Sequence, residues 1–373
     1  MVLTVSIILL FILLYCSVIL LLSTGIGRLR RDSALSTKNP VPVTVIIPFR
    51  NEEDRIPNLV GDLLRQSYSD DQFEVIFVND HSQDGSKALL NSLISTKSHF
   101  ICLDMPQERS GKKEALYFAV QHTRSEWIIQ TDADCRLGPN FIASHMAFHE
   151  AHPSDMVAGL VTTRNESGSF LESFERLDLL SLVGVGAGSF HFGRPMMCNG
   201  ANLAYSKDLF LTTRQFDPAK VVSSGDDMFL MIGARKLGKK LSYNITQESM
   251  VETWSVRSPG ALISQHIRWG SKALHYKMTD IQLLALVVVL TNLLILLIPV
   301  FILMVPGGWP WLVSAFVLKT LTDFNLLYRI TGYTGQRRSL RMFLPVSLLY
   351  YIFQLAIVTG SLFNSPGWKG KRI

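Results

Sequence analysis

Cysteine is scarce in this sequence. Cys16, Cys102, Cys135 and Cys198 are the four among 373 residues, and none forms a C-x-x-C pair. A disulfide or zinc framework therefore has no support, and a reduced cytosolic compartment is the better reading. Charge is scarce too: Asp, Glu, Lys and Arg make up 18% of the chain, against about 25% in ordinary soluble domains. The 36 Lys and Arg exceed the 30 Asp and Glu by 6. That excess is too small for a nucleic-acid binder and suits a protein lying on an anionic membrane. There is no internal repeat, no low-complexity tract and no Ser-His-Asp or Cys-His set, so neither a solenoid nor a covalent nucleophile is indicated. His81, His122 and His266 read as ordinary polar residues. A disordered chain is excluded by the 48% hydrophobic content. The length allows roughly two to three domains, and nothing in it sets an oligomeric state.

What the sequence has in excess is uncharged apolar runs, and they lie at the two ends. Residues 2–22 carry no charge and are long enough to span about 30 Å of hydrocarbon. Met1 to Ser6 contains no Lys or Arg, unlike the start of a secretory leader, so a retained anchor over residues 1–27 is expected. Arg28, Arg30, Arg31 and Lys38 follow it and, by the positive-inside rule, place the next segment in the cytosol. After residue 280 three more runs, 281–304, 309–328 and 342–363, predict about three further helices across 281–364, with a basic tail over 365–373. Arg329, Arg337, Arg338 and Arg341 argue for a cytosolic loop between the last two. Three spans would then carry the tail, with Lys369, Lys371 and Arg372, to the far side. Either the charge rule is weak for the last span, or one segment is re-entrant or interfacial. Lys319 and Asp323 fall four apart within 309–328, on one helical face. They read as a mutual ion pair locking helix packing, or as a contact to a lipid phosphate.

Between residues 40 and 275 the chain is mixed and punctuated by Gly, Pro, Asn and Asp. Short apolar runs at 41–49, 73–80, 99–105 and 127–134 alternate with helix-spaced stretches at 57–68, 85–96 and 112–123. This alternation predicts a mostly parallel sheet flanked by helices, an α/β fold, with ligands bound beyond the carboxyl ends of the strands. The polar residues at those ends are Arg50 to Glu53, Asn79-Asp80 and Asp132-Ala133-Asp134. Asp132 and Asp134 stand at the end of the strand 127–134, where residues i and i+2 point the same way, so both carboxylates are expected to face one site. Two such carboxylates suit a hard divalent cation, which neutralises a diphosphate. Asp226 and Asp227 precede a helical run, 228–238, where two acids would also cap the helix. Gln265, Arg268 and Trp269 at i, i+3 and i+4 share a helix face. A membrane-surface helix would carry Arg and Trp for anchoring alone. The stretch 170–190 reads equally as an interfacial helix guiding a lipid or as a core-facing one.

Taken in order, VTVIIPFRNEEDRI (43–56), VNDHSQDGS (78–86), GKKEAL (111–116) and QTDADC (130–135) resemble glycosyltransferase family 2. CNGANLAYSK (198–207), GDDMFL (225–230) and QHIRW (265–269) resemble elements of its membrane-bound branch, which includes cellulose and hyaluronan synthases and the ceramide and carotenoid glycosyltransferases. The resemblance implies a GT-A fold over 40–275, on the cytosolic side of a bacterial inner membrane. It implies an inverting transfer from a nucleotide-sugar donor, of UDP type, to a lipid or glycan acceptor, with membrane lipids as surroundings and no nucleic acid. In that reading Asp80 binds uracil or ribose, Glu52 shapes the nucleotide loop, and Lys112 lies near the diphosphate. Asp132 sits by the ribose and sugar, and Asp134 holds Mg²⁺ or Mn²⁺. Asp227 is the base with Asp226 supporting it, where the family more often has Glu. Arg268 bridges the pyrophosphate and Trp269 floors the acceptor site, with Gln265 beside them as a substrate-binding residue, while Asn199 and Asn202 read either as contacts to sugar hydroxyls or simply as a tight turn. A processive polysaccharide synthase and a non-catalytic membrane scaffold are the rival readings. All of this requires Asp80, Asp132, Asp134, Asp227 and Arg268 to share one cleft.

Overall fold

The computed structural model describes residues 2–30, 37, 40–164, 166–216, 225–273, 276–305, 307–363, 367–368 and 371–372. The chain divides into two compact units. A sheet unit comprises Leu29–Arg164 and Gly193–Trp254, and a helical unit comprises Met1–Arg28, Asn165–Phe192 and Ser255–Ile373.

In the sheet unit the strands are β1 (Val43–Phe49), β2 (Phe73–Asn79), β3 (Phe100–Asp104), β4 (Trp127–Gln130), β5 (Cys135–Leu137), β6 (Met156–Gly159), β7 (Val161–Thr163), β8 (Leu203–Ser206), β9 (Leu241–Asn244) and β10 (Val251–Thr253). Seven of them form one sheet in the order β3-β2-β1-β4-β8-β6-β9, and β5-β10-β7 form a second, small sheet. β3, β2, β1 and β4 are mutually parallel, while β8 runs antiparallel to both β4 and β6. The sheet is thus mostly parallel, as the alternating pattern predicts. β1, VTVIIPF, is buried along nearly all its length, as a parallel strand covered on both faces must be.

The chain runs outward from β1 through β2 and β3, then returns to pair β4 on the other side of β1. That reversal opens a crevice beyond the carboxyl ends of β1 and β4, where such sheets bind ligands. The helices of this unit supply the covering layers: α2 (Ile56–Leu63), α3 (Ser86–Ile94), α4 (Lys112–His122), α5 (Phe141–Ala151), α7 (Lys207–Thr213) and α8 (Asp226–Lys236).

The helical unit contains α1 (Val2–Arg28), α6 (Phe170–His191), α9 (Pro259–Ala273), α10 (Thr279–Leu296), α11 (Ile298–Met304), α12 (Trp309–Tyr333) and α13 (Phe343–Phe363). Three helical stretches are long and apolar enough to cross a membrane: Val5–Arg28, Thr279–Leu296 and Arg337–Ser361. The run 281–304 is not one helix. It breaks between α10 and α11 at Leu297, where Pro299 enters the first turn of α11 and cannot donate to the preceding turn. α12 has the length but not the hydropathy, because Lys319, Asp323 and Asn325 lie on it.

α6 opens on a side-chain cap and an acid that closes the preceding turn. Ser169 Oγ accepts from Glu172 N at 3.2 Å, and the Glu172 carboxylate accepts from Ser167 N and Gly168 N. The helix then packs on α1 at backbone contact, because a Cβ on Gly188 would strike the Leu22 carbonyl and a Cβ on Gly25 the Gly188 carbonyl. Gly184 lies against Leu326 and Ile330 of α12. Small residues that let helix backbones touch are how apolar helices pack without a hydrophobic driving force. On these contacts α6 is a packed helix, the second of the two readings its sequence allowed.

Candidate active site

The loops leaving β1 and β2 are stitched together. Asn51 N donates to Ser82 Oγ at 3.1 Å, Gln83 N donates to Asn51 Oδ1 at 2.8 Å, and Glu52 N donates to Ser86 Oγ at 2.8 Å. Asn51 and His81 adopt positive φ, 54° and 55°, an uncommon backbone for residues with a Cβ that concentrates at functional loops. Asp80, at the tip of β2, is 2% exposed. Its Oδ2 accepts from Gly111 N at 2.9 Å, while Oδ1 is buried with no hydrogen-bond partner. Gly111 has φ +97°, which explains the glycine of the G-K pair: the turn that aims its N–H at Asp80 and opens α4 needs a residue without a Cβ.

Lys112 begins α4. Its Nζ lies 2.5 Å from Asp132 Oδ1 and 3.7 Å from Asp226 Oδ2. Burial works against its charge, but Asp132 and Asp226 outweigh burial and raise its pKa. Asp226 Oδ2 also accepts from Gln130 Nε2 at 2.6 Å, and Gln130 donates to the Gly200 carbonyl at 3.0 Å. Tyr205 OH donates to Gln130 Oε1 at 3.0 Å. Asp227 Oδ2 accepts from Gly200 N at 3.0 Å and Oδ1 from Met228 N at 2.7 Å. Both aspartates lie in the first turn of α8 after Gly225, φ +87°, where a helix N-terminus favours negative charge. The capping and site readings of this pair hold together.

Asp132 and Asp134 do not extend a strand. β4 ends at Gln130, and Cys135 N donates to Asp132 O at 3.2 Å, closing a turn through the D-x-D sequence. The turn, not strand alternation, brings the carboxylates near each other. Withdrawal from bulk water, then the Asp132 and Glu52 charges, push the Asp134 carboxyl up to about 6, with Arg55 and Lys112 pulling against them.

Among the described residues no group of three or more His, Cys, Asp or Glu side chains is disposed to hold a metal ion. The D-x-D pair by itself, Asp132 and Asp134, offers a hard cation one or two carboxylates. They crowd enough for their charges to oppose one another, and Asp134 keeps 39% of its side chain open. Mg²⁺-type sites often have only one or two carboxylates and take the remaining oxygens from substrate phosphate and water.

Glu52, Asp80, Lys112, Asp132, Asp134, Asp226 and Asp227 therefore all belong to the sheet unit, linked around the ends of β1, β2 and β4. Gln265, Arg268 and Trp269 lie on α9 of the helical unit. There Arg268 is half-buried, which lowers its pKa. The Trp269 ring packs 4.8 Å from that of His266. His266 stands in an ion pair: its Nε2 lies 2.6 Å from Asp178 Oδ2, and Asp178, despite the cost of burial, raises its pKa.

Asn202 is corrected as well. It is wholly buried, donates to the carbonyls of Leu160 and Ser249 at 2.7 Å, and meets His145 at 2.8 Å, so it ties strands together and cannot reach a sugar. Asn199 Oδ1 accepts from Ala201 N, a local turn bond.

Three supporting residues have no role assigned to them by the sequence patterns. Gln130 is a polar side chain at the end of an otherwise apolar strand, a signal that could have been read. Asp62 is 3% exposed within α2 and takes Arg136 Nε at 2.5 Å, Arg136 Nη2 at 2.9 Å and Leu137 N at 3.1 Å, clamping β5 just beyond the D-x-D turn. Arg55 lies 3.6 Å from Asp134.

A model described as glycosyl transferase family 2 matches residues 44–210. A poly(ribitol-phosphate) beta-glucosyltransferase of Bacillus spizizenii is 22% identical over 209 residues, 54% of this chain and 31% of that protein. The bactoprenol glucosyl transferase of Shigella phage SfV is 24% identical over 127 residues, 34% of this chain and 41% of that one. The chain thus spans 31% and 41% of the lengths of these two relatives. Among solved structures, a mannosyltransferase from Pyrobaculum calidifontis, in complex with GDP-Man and Mn²⁺, superposes with a TM-score of 0.55 at 17% identity, covering 96% of this chain and 99% of that one. That likeness concerns the fold. The matched segment holds β1 to β4, the G-K turn and the D-x-D turn on a GT-A sheet, and it is over these residues that the chain resembles glycosyltransferase family 2.

Proposed function

We propose that this protein is a membrane-embedded, inverting glycosyltransferase. It moves a hexose from a nucleoside-diphosphate sugar, of UDP type, to a hydroxyl of a lipid acceptor. The observation that carries the reading is the network at the strand ends. Lys112 joins Asp132 of the D-x-D turn to Asp226 at the start of α8, so the elements assigned to donor and base already share one set of contacts.

In this reading the buried, unpartnered Oδ1 of Asp80 takes an N–H of the base or a ribose hydroxyl. Lys112 stabilises charge on the departing diphosphate, an effect that is large where water is excluded. Asp134, with Asp132 and Glu52 beside it, would hold Mg²⁺ or Mn²⁺, which when bound supplies charge neutralisation of the diphosphate. Asp227 takes the acceptor proton, and the hydroxyl oxygen attacks the anomeric carbon from the face opposite the leaving group. The N–H groups of Gly200 and Met228 fix its carboxylate in place. Asp226 is turned toward Lys112 and Gln130 and supports the geometry. Gln265, Arg268 and Trp269 are assigned to pyrophosphate and acceptor on sequence pattern alone.

Three apolar helices of membrane-crossing length and the Arg28, Arg30, Arg31 cluster after the first support an integral protein of a bacterial inner membrane, with the sheet unit in the cytosol. The names of the bactoprenol and poly(ribitol-phosphate) relatives support a lipid-linked or polyol-phosphate acceptor. The test is release of nucleoside diphosphate by the purified full-length protein with membrane lipid extract, across UDP- and GDP-sugars. Lipid-dependent UDP release that yields a glycolipid is expected. A long glycan as product would exchange the lipid acceptor for a polymer, and no release from any donor would leave the scaffold reading in its place.

A further inference from the structure

Arg55 occupies the acidic centre, and although it lies within the 43–56 motif no role attaches to it there. It stands just before α2, its main chain held by a 3.0 Å bond from its N–H to the Glu52 carbonyl. Its Nη1 lies 3.6 Å from Asp134 Oδ2 and its Nε 3.8 Å from Glu52 Oε2. Both separations exceed hydrogen-bond length, so charge holds the guanidinium there and no directed bond does. A further contact is the face of Trp254, 5.7 Å from the guanidinium carbon.

Asp132 is neutralised differently. Lys112 meets it at 2.5 Å and is held from a second side by Asp226. The two aspartates of the D-x-D turn therefore have separate counter-ions, one tight and one loose. A divalent cation on Asp134 and a guanidinium 3.6 Å away would repel each other, so the two compete for the same carboxylates.

We infer that Arg55 is the resident counter-ion of Glu52 and Asp134, displaced by a divalent cation only when a nucleoside diphosphate arrives with it, so that Arg55 makes cation binding depend on donor binding. Alone, the cation finds few protein ligands and must evict a charge already in place. With the diphosphate it gains phosphate oxygens, and the released guanidinium gains an anion that its planar fork suits. This rests on the cation reading given above and adds to it an order of events and a residue that imposes it.

The experiment measures Mn²⁺ binding by electron paramagnetic resonance on the full-length protein, with and without UDP, after subtracting Mn²⁺ chelated by UDP alone. The wild type should bind Mn²⁺ weakly alone and about tenfold or more tightly with UDP, within the usual span of coupling between two ligands. Arg55→Gln should bind Mn²⁺ alone about tenfold more tightly than the wild type, and the gain on adding UDP should shrink by that factor. Arg55→Lys, which keeps the charge, should stay near wild type. Should Arg55→Gln leave Mn²⁺ binding without UDP unchanged or weaker, while Asp134→Asn abolishes binding with UDP, the role of Arg55 is overturned and the cation site stands. If the wild type takes no Mn²⁺ even with UDP, both fall.

Discussion

Asp323 in the helical unit and Asp134 in the sheet unit each sit in a cluster of acids, cations and aromatic rings. Asp323 is closed in: Lys319 Nζ lies 2.6 Å from Oδ2, Tyr15 OH donates to Oδ1 at 2.6 Å, and Lys319 also reaches Tyr351 OH at 3.4 Å. Asp134 has one cation at 3.6 Å, a neighbouring acid on the same turn, and 39% of its side chain open. The first cluster is complete and joins α1, α12 and α13 from within, the ion-pair lock that the spacing of Lys319 and Asp323 predicts. The second holds more acid than it neutralises. A structural cluster satisfies itself, whereas one that awaits a ligand keeps charge in reserve.

The comparison can be broken most sharply at Asp227. Asp227→Asn should lower the turnover of nucleotide sugar by about 10²- to 10⁴-fold, the usual worth of a positioned base, with UDP affinity nearly unchanged by calorimetry. Unchanged turnover would remove Asp227 from the base role. Asp323→Asn should act the other way, on stability rather than chemistry. It leaves Lys319 buried without its counter-ion, at a cost of about 3–5 kcal/mol. Thermal unfolding in detergent micelles should register that loss, and Lys319→Met placed in the same chain should restore most of it. If Asp323→Asn melts like the wild type, the cluster is not a lock.

A smaller effect is expected at Asp62, where charged hydrogen bonds hold β5. Asp62→Asn should cost about 1.5–3 kcal/mol in urea unfolding and weaken Mn²⁺ binding in the presence of UDP, since β5 continues from Asp134. A stability loss without a change in Mn²⁺ binding would separate the clamp from the site.

The smallest effect concerns pH. Asp178 holds the pKa of His266 above its ordinary value against burial, with Glu175 also raising it. The pair's contribution to stability should be full below about 6.5, the value in an unfolded chain, and should fade as pH rises through the folded value. The wild-type melting temperature should therefore fall toward that of His266→Gln across this range. Parallel curves would count against a charged His266.

Strands β1 to β4 and helices α2 to α4 were legible in the sequence because their apolar periods differ and Gly, Asn and Asp separate them. β6, β8 and β9 were not: MVAG, LAYS and LSYN are four residues each, too short to show a period, and their antiparallel insertion depends on long-range pairing. Lys112, Asp132, Asp134 and Asp226 announced themselves as motif residues at loop ends, and the structure links them through contacts on Lys112 and charge between the two D-x-D aspartates. Arg55, though inside the 43–56 motif, and Asp62 drew no role, since a single Arg before a helix and a single Asp within one have no local signature. Their roles exist only in three dimensions. The D-x-D carboxylates were correctly paired for an incorrect reason, because two acids two positions apart approach each other in a turn as they do on a strand.

The touching backbones at Gly25 and Gly188 bear on how the protein can be handled. Trimming residues 1–28 to gain solubility would strip one wall from α6 and leave Gly188, which has no side chain, facing detergent. Expressing only the family-matched segment, 44–210, would carry α6 along without its partners from either terminus. The shortest stable version should therefore keep both ends of the chain.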